Sequence, residues 1–222
     1  MPRAPRALAD GLPHHAIARA NGGARLFRAA RDFEAFLRLL EAALERRPLE
    51  LLGYCLMPNH VHLVLAPERG ADLSLAMQWL LATFAARHNA RRKAAGHVWQ
   101  GRFRAFPIQD DAHLWTVLRY VERNALRAGL CARAEDWRWS SLARRLGSGA
   151  GGPALADAAL PPNWPAWVNE PQSAAELELV RRSVNRGLPF GAADWIRRFE
   201  SHPEPPDSTG LSDRGSDPSL PS

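Results

Sequence analysis

The chain has 222 residues, a formal net charge of +6 and a sequence pI near 10.5, and of its 29 Lys and Arg side chains only Lys93 is a lysine. Residues 1–147 carry 23 basic and 13 acidic side chains and residues 148–222 carry 6 and 10, so a basic body precedes an acidic extension. The body is long enough to bury its own core, its charge favours a polyanionic partner such as nucleic acid or an anionic membrane surface, and 46% hydrophobic content excludes a wholly disordered chain.

Residues 14–20 read as a short strand ended by Asn21-Gly22-Gly23. Phe33, Phe36, Leu37, Leu40 and Leu44 recur at helical spacing, so a helix is expected from about Asp32, which can cap it, to Arg47, where Pro48 bars continuation. Residues 49–57 and 60–66 read as a hairpin turning at Pro58-Asn59. A second helix is expected to open at Ser74, with the stripe Met77, Leu80, Leu81 and Phe84, a basic far end (Arg87, Arg91, Arg92, Lys93) and a stop at Gly96. Residues 98–109 set Arg102 and Arg104 against Phe103 and Ala105, which suits a strand with one basic face. Asp110-Asp111 then caps a helix to about Arg127, stopped by Gly129.

The order β-α-β-β-α-β-α is the ferredoxin-like βαββαβ unit with one added helix. It predicts an α+β fold whose four-stranded antiparallel sheet has two helices on one face, with the other left for a ligand and the added helix. Beyond Gly147 a small-residue linker leads to a Pro- and Trp-bearing stretch, then to short helices expected at Glu176–Asn185 and Ala192–Glu200. The last residues, 201–222, read as a disordered tail. The expected division is therefore a body (1–147), a small irregular and helical extension (148–200) and the tail.

His60-Val61-His62 is the sharpest local feature. On a strand these histidines lie roughly 6.6 Å apart at Cα and leave the same face, while Val61, Leu63 and Leu65 leave the other. Two imidazoles so placed can converge on one divalent ion, or be unrelated residues of a polar face. Of two tyrosines, Tyr54 sits mid-strand among apolar residues and reads as core. Tyr120 lies beside the stripe Leu114, Trp115, Leu118 and Val121, with Asn124 at i+4 and Arg127 at i+7 on its own face. It is either a packing residue with a wet hydroxyl or a nucleophile beside a metal ligand. Cys55 and Cys131 make neither a disulfide framework nor a zinc pattern. No apolar run approaches the ~18 residues of a membrane span, and the start of the chain lacks the apolar region of a secretory signal. A cytoplasmic protein without a membrane partner is expected.

Residues 53–66, Gly-Tyr-Cys-Leu-Met-Pro-Asn-His-Val-His-Leu-Val-Leu-Ala, resemble the signature of single-tyrosine HUH transposases, most closely the REP-associated tyrosine transposases. Further matches are Pro13-His14-His15 with Arg19 and Asn21, Trp99-Gln100 with Arg102-Phe103, Arg119-Tyr120-Val121 with Asn124 and Arg127-Ala128, Trp139-Ser140-Ser141, and Trp167-Val168-Asn169-Glu170-Pro171. The resemblance spans about residues 13–199. It implies that Tyr120 is the nucleophile, that His60 and His62 bind a divalent metal, Mg²⁺ or Mn²⁺, and that Asn124 stands where relatives supply a third ligand. It also implies the ferredoxin-like fold already reached from the pattern. Two departures stand out: Ala125 follows Asn124 where the family usually has Pro, which favours an unbroken helix there, and Ala20 replaces the usual Gly.

The reaction so implied is cleavage and rejoining of single-stranded DNA beside a hairpin, through a 5′-phosphotyrosine. Arg19, Arg102, Arg104 and Arg127 are then candidates for holding DNA, and Trp99 or Phe103 for stacking on bases. A monomer and a homodimer are both compatible with the resemblance. The alternative is a non-catalytic, sequence-specific DNA-binding regulator on the same scaffold, which the intact Tyr120, His60, His62 and Asn124 disfavour.

Overall fold

The computed structural model describes residues 8–109 and 112–201; the expected cap at Asp110-Asp111 and the tail beyond Ser201 lie outside the described residues. Four strands, β1 (His14–Arg19), β2 (Leu49–Met57), β3 (His60–Pro67) and β4 (Arg104–Pro107), form one antiparallel sheet in the order β2-β3-β1-β4. That is the ferredoxin-like order expected from the sequence.

Alternation along the strands splits the sheet into two apolar faces. Ala16, Ala18, Leu56, Val61, Leu63 and Leu65 pack under α1 (Ala30–Glu45) and α2 (Gly70–Arg92), against Phe36, Leu40, Met77 and Phe84. Ile17, Cys55, Val64 and Phe106 face the other way, toward α3 (Ala112–Glu122), against Leu114, Val117, Leu118 and Val121. A bulge in β2 resets its parity: Leu51 pairs with Leu65 but Gly53 with Val64, so Leu52 is the extra residue. Tyr54 therefore lies in the α1/α2 core, fully buried, as expected, with its ionisation pushed up to about 12 by burial. Gly53 lets α3 approach closely, because a Cβ there would stand 2.6 Å from Leu118 Cδ2.

Boundaries differ from expectation for local reasons. Asp32 sits inside the first turn of α1, not ahead of it, and its Oδ2 accepts from the N–H groups of Arg28 (2.8 Å) and Ala29 (3.2 Å). Helix α2 starts a turn before Ser74, at Gly70, whose N–H donates to Asp10 Oδ1 at 2.7 Å. The strand expected over 98–109 shrinks to β4. Gly101 at φ 136° breaks the extended run, and before β4 only an isolated Ala20–Trp99 bridge joins it to the sheet.

The helix expected to run to Arg127 breaks at Arg123, and α4 (Asn124–Arg127) follows as a separate turn, so Ala125 does not keep it unbroken. Past it, α5 (Ser141–Arg145) was not expected, α6 (Trp164–Asn169) forms in the Pro- and Trp-bearing stretch, and α7 (Ala174–Arg186) and α8 (Ala193–Ser201) occupy the two expected positions. Trp164, Val168, Val180 and Val184 of this extension belong to the same apolar cluster as α3. Among the described residues no helix is long and apolar enough to cross a membrane.

Candidate active site

The sheet register sets the polar residues of the α3 face in rows. Arg19 stands opposite His60, and Ile17 stands between His62 on β3 and Arg104 on β4. The rings of His60 and His62 lie 4.9 Å apart at 83°. His60 Nδ1 is hydrogen-bonded to Asn59 Oδ1 at 2.7 Å and His62 Nδ1 to His15 Nε2 at 2.8 Å. Burial lowers the pKa of His60 to about 4, with help from the charges of Arg19 and Arg127. His62 is held well below the ordinary histidine value, by burial first and then by His15, His60, Arg127 and Arg19. Both imidazoles are thus neutral near pH 7.

Helix α3 brings Tyr120 over this pair. Its ring is 6.0 Å from that of His62 and 6.2 Å from that of His15, and only 6% of the residue is exposed. The guanidinium carbon of Arg127 lies 4.1 Å from the centre of the Tyr120 ring. Arg127 Nη2 donates to Asn124 Oδ1 at 3.1 Å, and Asn124 Nδ2 is buried without a hydrogen-bond partner among the described residues. Arg127 is itself pulled below its ordinary pKa by burial and by Arg181 of α7, with Tyr120 opposing. Tyr120, His60, His62, Asn124 and Arg127 therefore meet on one face of the sheet.

A dense polar frame fixes α3. Glu122 is fully buried and accepts from Trp164 Nε1 (2.6 Å), Ser141 Oγ (2.5 Å) and Arg145 Nε (3.2 Å). Arg119 donates to the carbonyls of Trp167 (2.8 Å) and Glu170 (2.9 Å), and Arg123 to those of Asn169 (2.6 Å) and Val168 (3.1 Å). These carbonyls stand at or just past the C-terminal end of α6, where helical partners run out. Residues on both sides of Tyr120 are thus tied to the extension.

Arg19 and Arg104 lie on the site face, Arg104 with Nη1 on the Asn185 carbonyl at 2.7 Å. Arg102 instead lines a cleft against Ser74 and Gln78 of α2. Trp99 and Phe103 belong to the α1/α2 core but also line the same cleft as Arg102, and Trp99 Nε1 donates to Leu81 O at 2.9 Å. Sequence reasoning gave no role to His15, Asn59, Glu122, Arg123 or Arg181. Asn59 had a signal, adjacency to His60 in the motif; the others depend on contacts between elements far apart in the chain.

A family model described as "Transposase IS200 like" matches residues 10–124. The chain is similar to a Haemophilus influenzae protein assigned by name to the REP-associated tyrosine transposases, at 27% identity over 110 residues, which is 45% of this chain and 62% of that relative. Among solved structures it is similar to a REP-associated tyrosine transposase bound to a REP hairpin, with a TM-score of 0.56 and 16% identity, over 78% of this chain and all of that one. The second likeness is one of fold.

Proposed function

We propose, because the chain belongs to the family of IS200-like transposases, that it binds hairpin-forming repeat DNA and cleaves and rejoins single-stranded DNA through a 5′-phosphotyrosine on Tyr120. The observation that carries this reading is the meeting of Tyr120, His60, His62 and Asn124 from three separate elements, with the tyrosine ring 6.0 Å from that of His62. The solved relative's hairpin makes hairpin DNA the partner of choice here.

In the proposed step Tyr120 Oη attacks the scissile phosphorus, the bond from phosphorus to the 3′ oxygen breaks, and that oxygen leaves as a 3′-hydroxyl. The phenolic proton is given up in the process. The phosphotyrosine conserves the bond energy, so a 3′-hydroxyl reverses the step and joins DNA without ATP. A phenol is a weak nucleophile until its proton is removed, so positioning and charge stabilisation must supply most of the rate. Arg127, packed on the ring of Tyr120, offers its guanidinium to the phosphate, and Arg19 extends the positive surface beside His60.

The donor set fits a divalent ion held loosely. Two neutral imidazoles and the Asn124 amide leave other positions for substrate oxygens and water, and no group of three or more His, Cys, Asp or Glu among the described residues is arranged to hold one. His60 and His62 would bind Mg²⁺ or Mn²⁺, with imidazoles favouring Mn²⁺, and Asn124 Oδ1 would join them by giving up or sharing the bond it accepts from Arg127 Nη2. When bound, such an ion polarises phosphate oxygens.

The test is a hairpin oligonucleotide with a single-stranded flank, taken from repeats near the gene and incubated with Mg²⁺ or Mn²⁺. The expected product is protein joined covalently to the 5′-phosphate of the strand downstream of the cut, with a free 3′-hydroxyl on the upstream strand. Tyr120→Phe should abolish the adduct and keep hairpin binding; an adduct surviving in that variant rejects Tyr120 as the nucleophile. Wild-type protein that binds but cuts with neither ion would favour a regulator.

A further inference from the structure

Each histidine of the pair has its Nδ1 held from outside the pair: His60 by Asn59 Oδ1 at 2.7 Å, His62 by His15 Nε2 at 2.8 Å. His15 stands on β1, where the register sets it diagonal to His62 on the same face. It is fully buried, stacks on His62 with centroids 5.0 Å apart, and meets Phe106 and Tyr120 edge-on at 5.1 and 6.2 Å. Its Nδ1 has no hydrogen-bond partner among the described residues.

The neighbouring His14 provides a contrast. It is equally buried, but its Nδ1 donates to Leu12 O at 2.7 Å and its Nε2 accepts from the Ala9 N–H at 3.1 Å. Both its nitrogens serve the local backbone, and folding alone accounts for it. His15 leaves a polar atom unmet in the core, a penalty that an apolar residue would avoid. What it gains is its bond to His62.

Two neutral imidazoles in contact share one bridging proton. If His15 Nε2–H were the donor, His62 would carry its own proton on Nε2 and have no lone pair there. With His62 Nδ1–H as donor, its Nε2 is bare, as that of His60 is when Nδ1–H donates to Asn59. We propose that His15 is a positioning residue that accepts the Nδ1 proton of His62, so that both histidines present bare Nε2 atoms and His62 is fixed in ring plane and tautomer. This rests on the reading of His60 and His62 as metal ligands, where a partner on the second ring nitrogen is the general rule. Because the partner here is an imidazole and not a carboxylate, it orients His62 without adding negative charge, and the pair stays a neutral, weak-binding one.

The test begins with metal-free wild-type protein labelled with ¹⁵N-histidine. Long-range ¹H–¹⁵N spectra should show His62 as the Nδ1–H tautomer; the Nε2–H tautomer overturns the proposal. Mn²⁺ titration followed by electron paramagnetic resonance should show binding weakened roughly 10–100-fold in His15→Phe. His15→Gln, whose Oε1 can accept the same proton, should recover most of it. Unchanged binding in His15→Phe, or equal loss in both variants, also overturns the proposal. A wild-type protein with the Nδ1–H tautomer that takes up no Mn²⁺ supports the hold on His62 and removes the metal reading instead.

Discussion

At the scale of single residues, the site is built from neutral histidines in a basic environment. That neutrality has a consequence for folding at low pH. His14, outside the site, has its pKa lowered to about 4 from the ordinary 6.5, burial being the main cause. The unfolded chain therefore takes up a proton on this residue that the folded chain refuses. Its contribution is fully present above about pH 6.5 and is lost as the pH falls toward 4, where both forms are protonated. Urea unfolding at pH 7, 5.5 and 4 should show stability declining through that window, and His14→Gln should reduce the slope even though it lowers stability at pH 7. The histidine pair and Tyr120 were legible in the sequence because period two on a strand and period 3.6 on a helix are local rules. His15 was not, because its contact with His62 bridges strands 47 residues apart and depends on the register of β1 on β3.

Elements show the same division. Strands β1, β2 and β3 and the helices α1, α2 and α3 were legible from their local residue pattern, and α7 and α8 stand where short helices were expected. The strand expected over 98–109 is shortened to β4 because residue alternation does not register a glycine at φ 136°, and α5 was missed because five residues are too few to display a period. Gly53 is the element-scale residue with the clearest test. Gly53→Ala brings a Cβ within 2.6 Å of Leu118 Cδ2 and must push α3 or its leucine away from β2. A stability loss of about 1–3 kcal/mol is expected in chemical denaturation. Cleavage should fall further than stability alone explains, since Leu118 and Tyr120 share the helix. A partner change of Leu118→Val, which shortens the clashing side chain, should restore part of both.

For the whole molecule, the charge split takes on a structural meaning. The body is basic and the residues after 147 are acidic in sum, yet the extension brings Arg181 up to Arg127 and closes the apolar cluster over α3 with Trp164, Val168, Val180 and Val184. Ending the chain after Gly147 uncovers that cluster and leaves Glu122 without its Trp164 partner. Such a chain should lose cooperative thermal unfolding by circular dichroism. On the DNA side, binding of the hairpin should weaken as salt rises, through release of counterions. Arg19→Ala is expected to lower the slope of log K against log salt by about one if Arg19 meets a phosphate; an unchanged slope would take Arg19 off the DNA path.

The bonds that Arg119, Glu122 and Arg123 make have one more implication. They tie the helix bearing Tyr120 to carbonyls, a hydroxyl and an indole of the same chain, on either side of the tyrosine itself. To travel, that helix would have to abandon all of these partners and expose a carboxylate that has no contact with water. In the proposed reaction, then, the tyrosine is the stationary part. Between the cut and the joining it is the DNA ends that must change places.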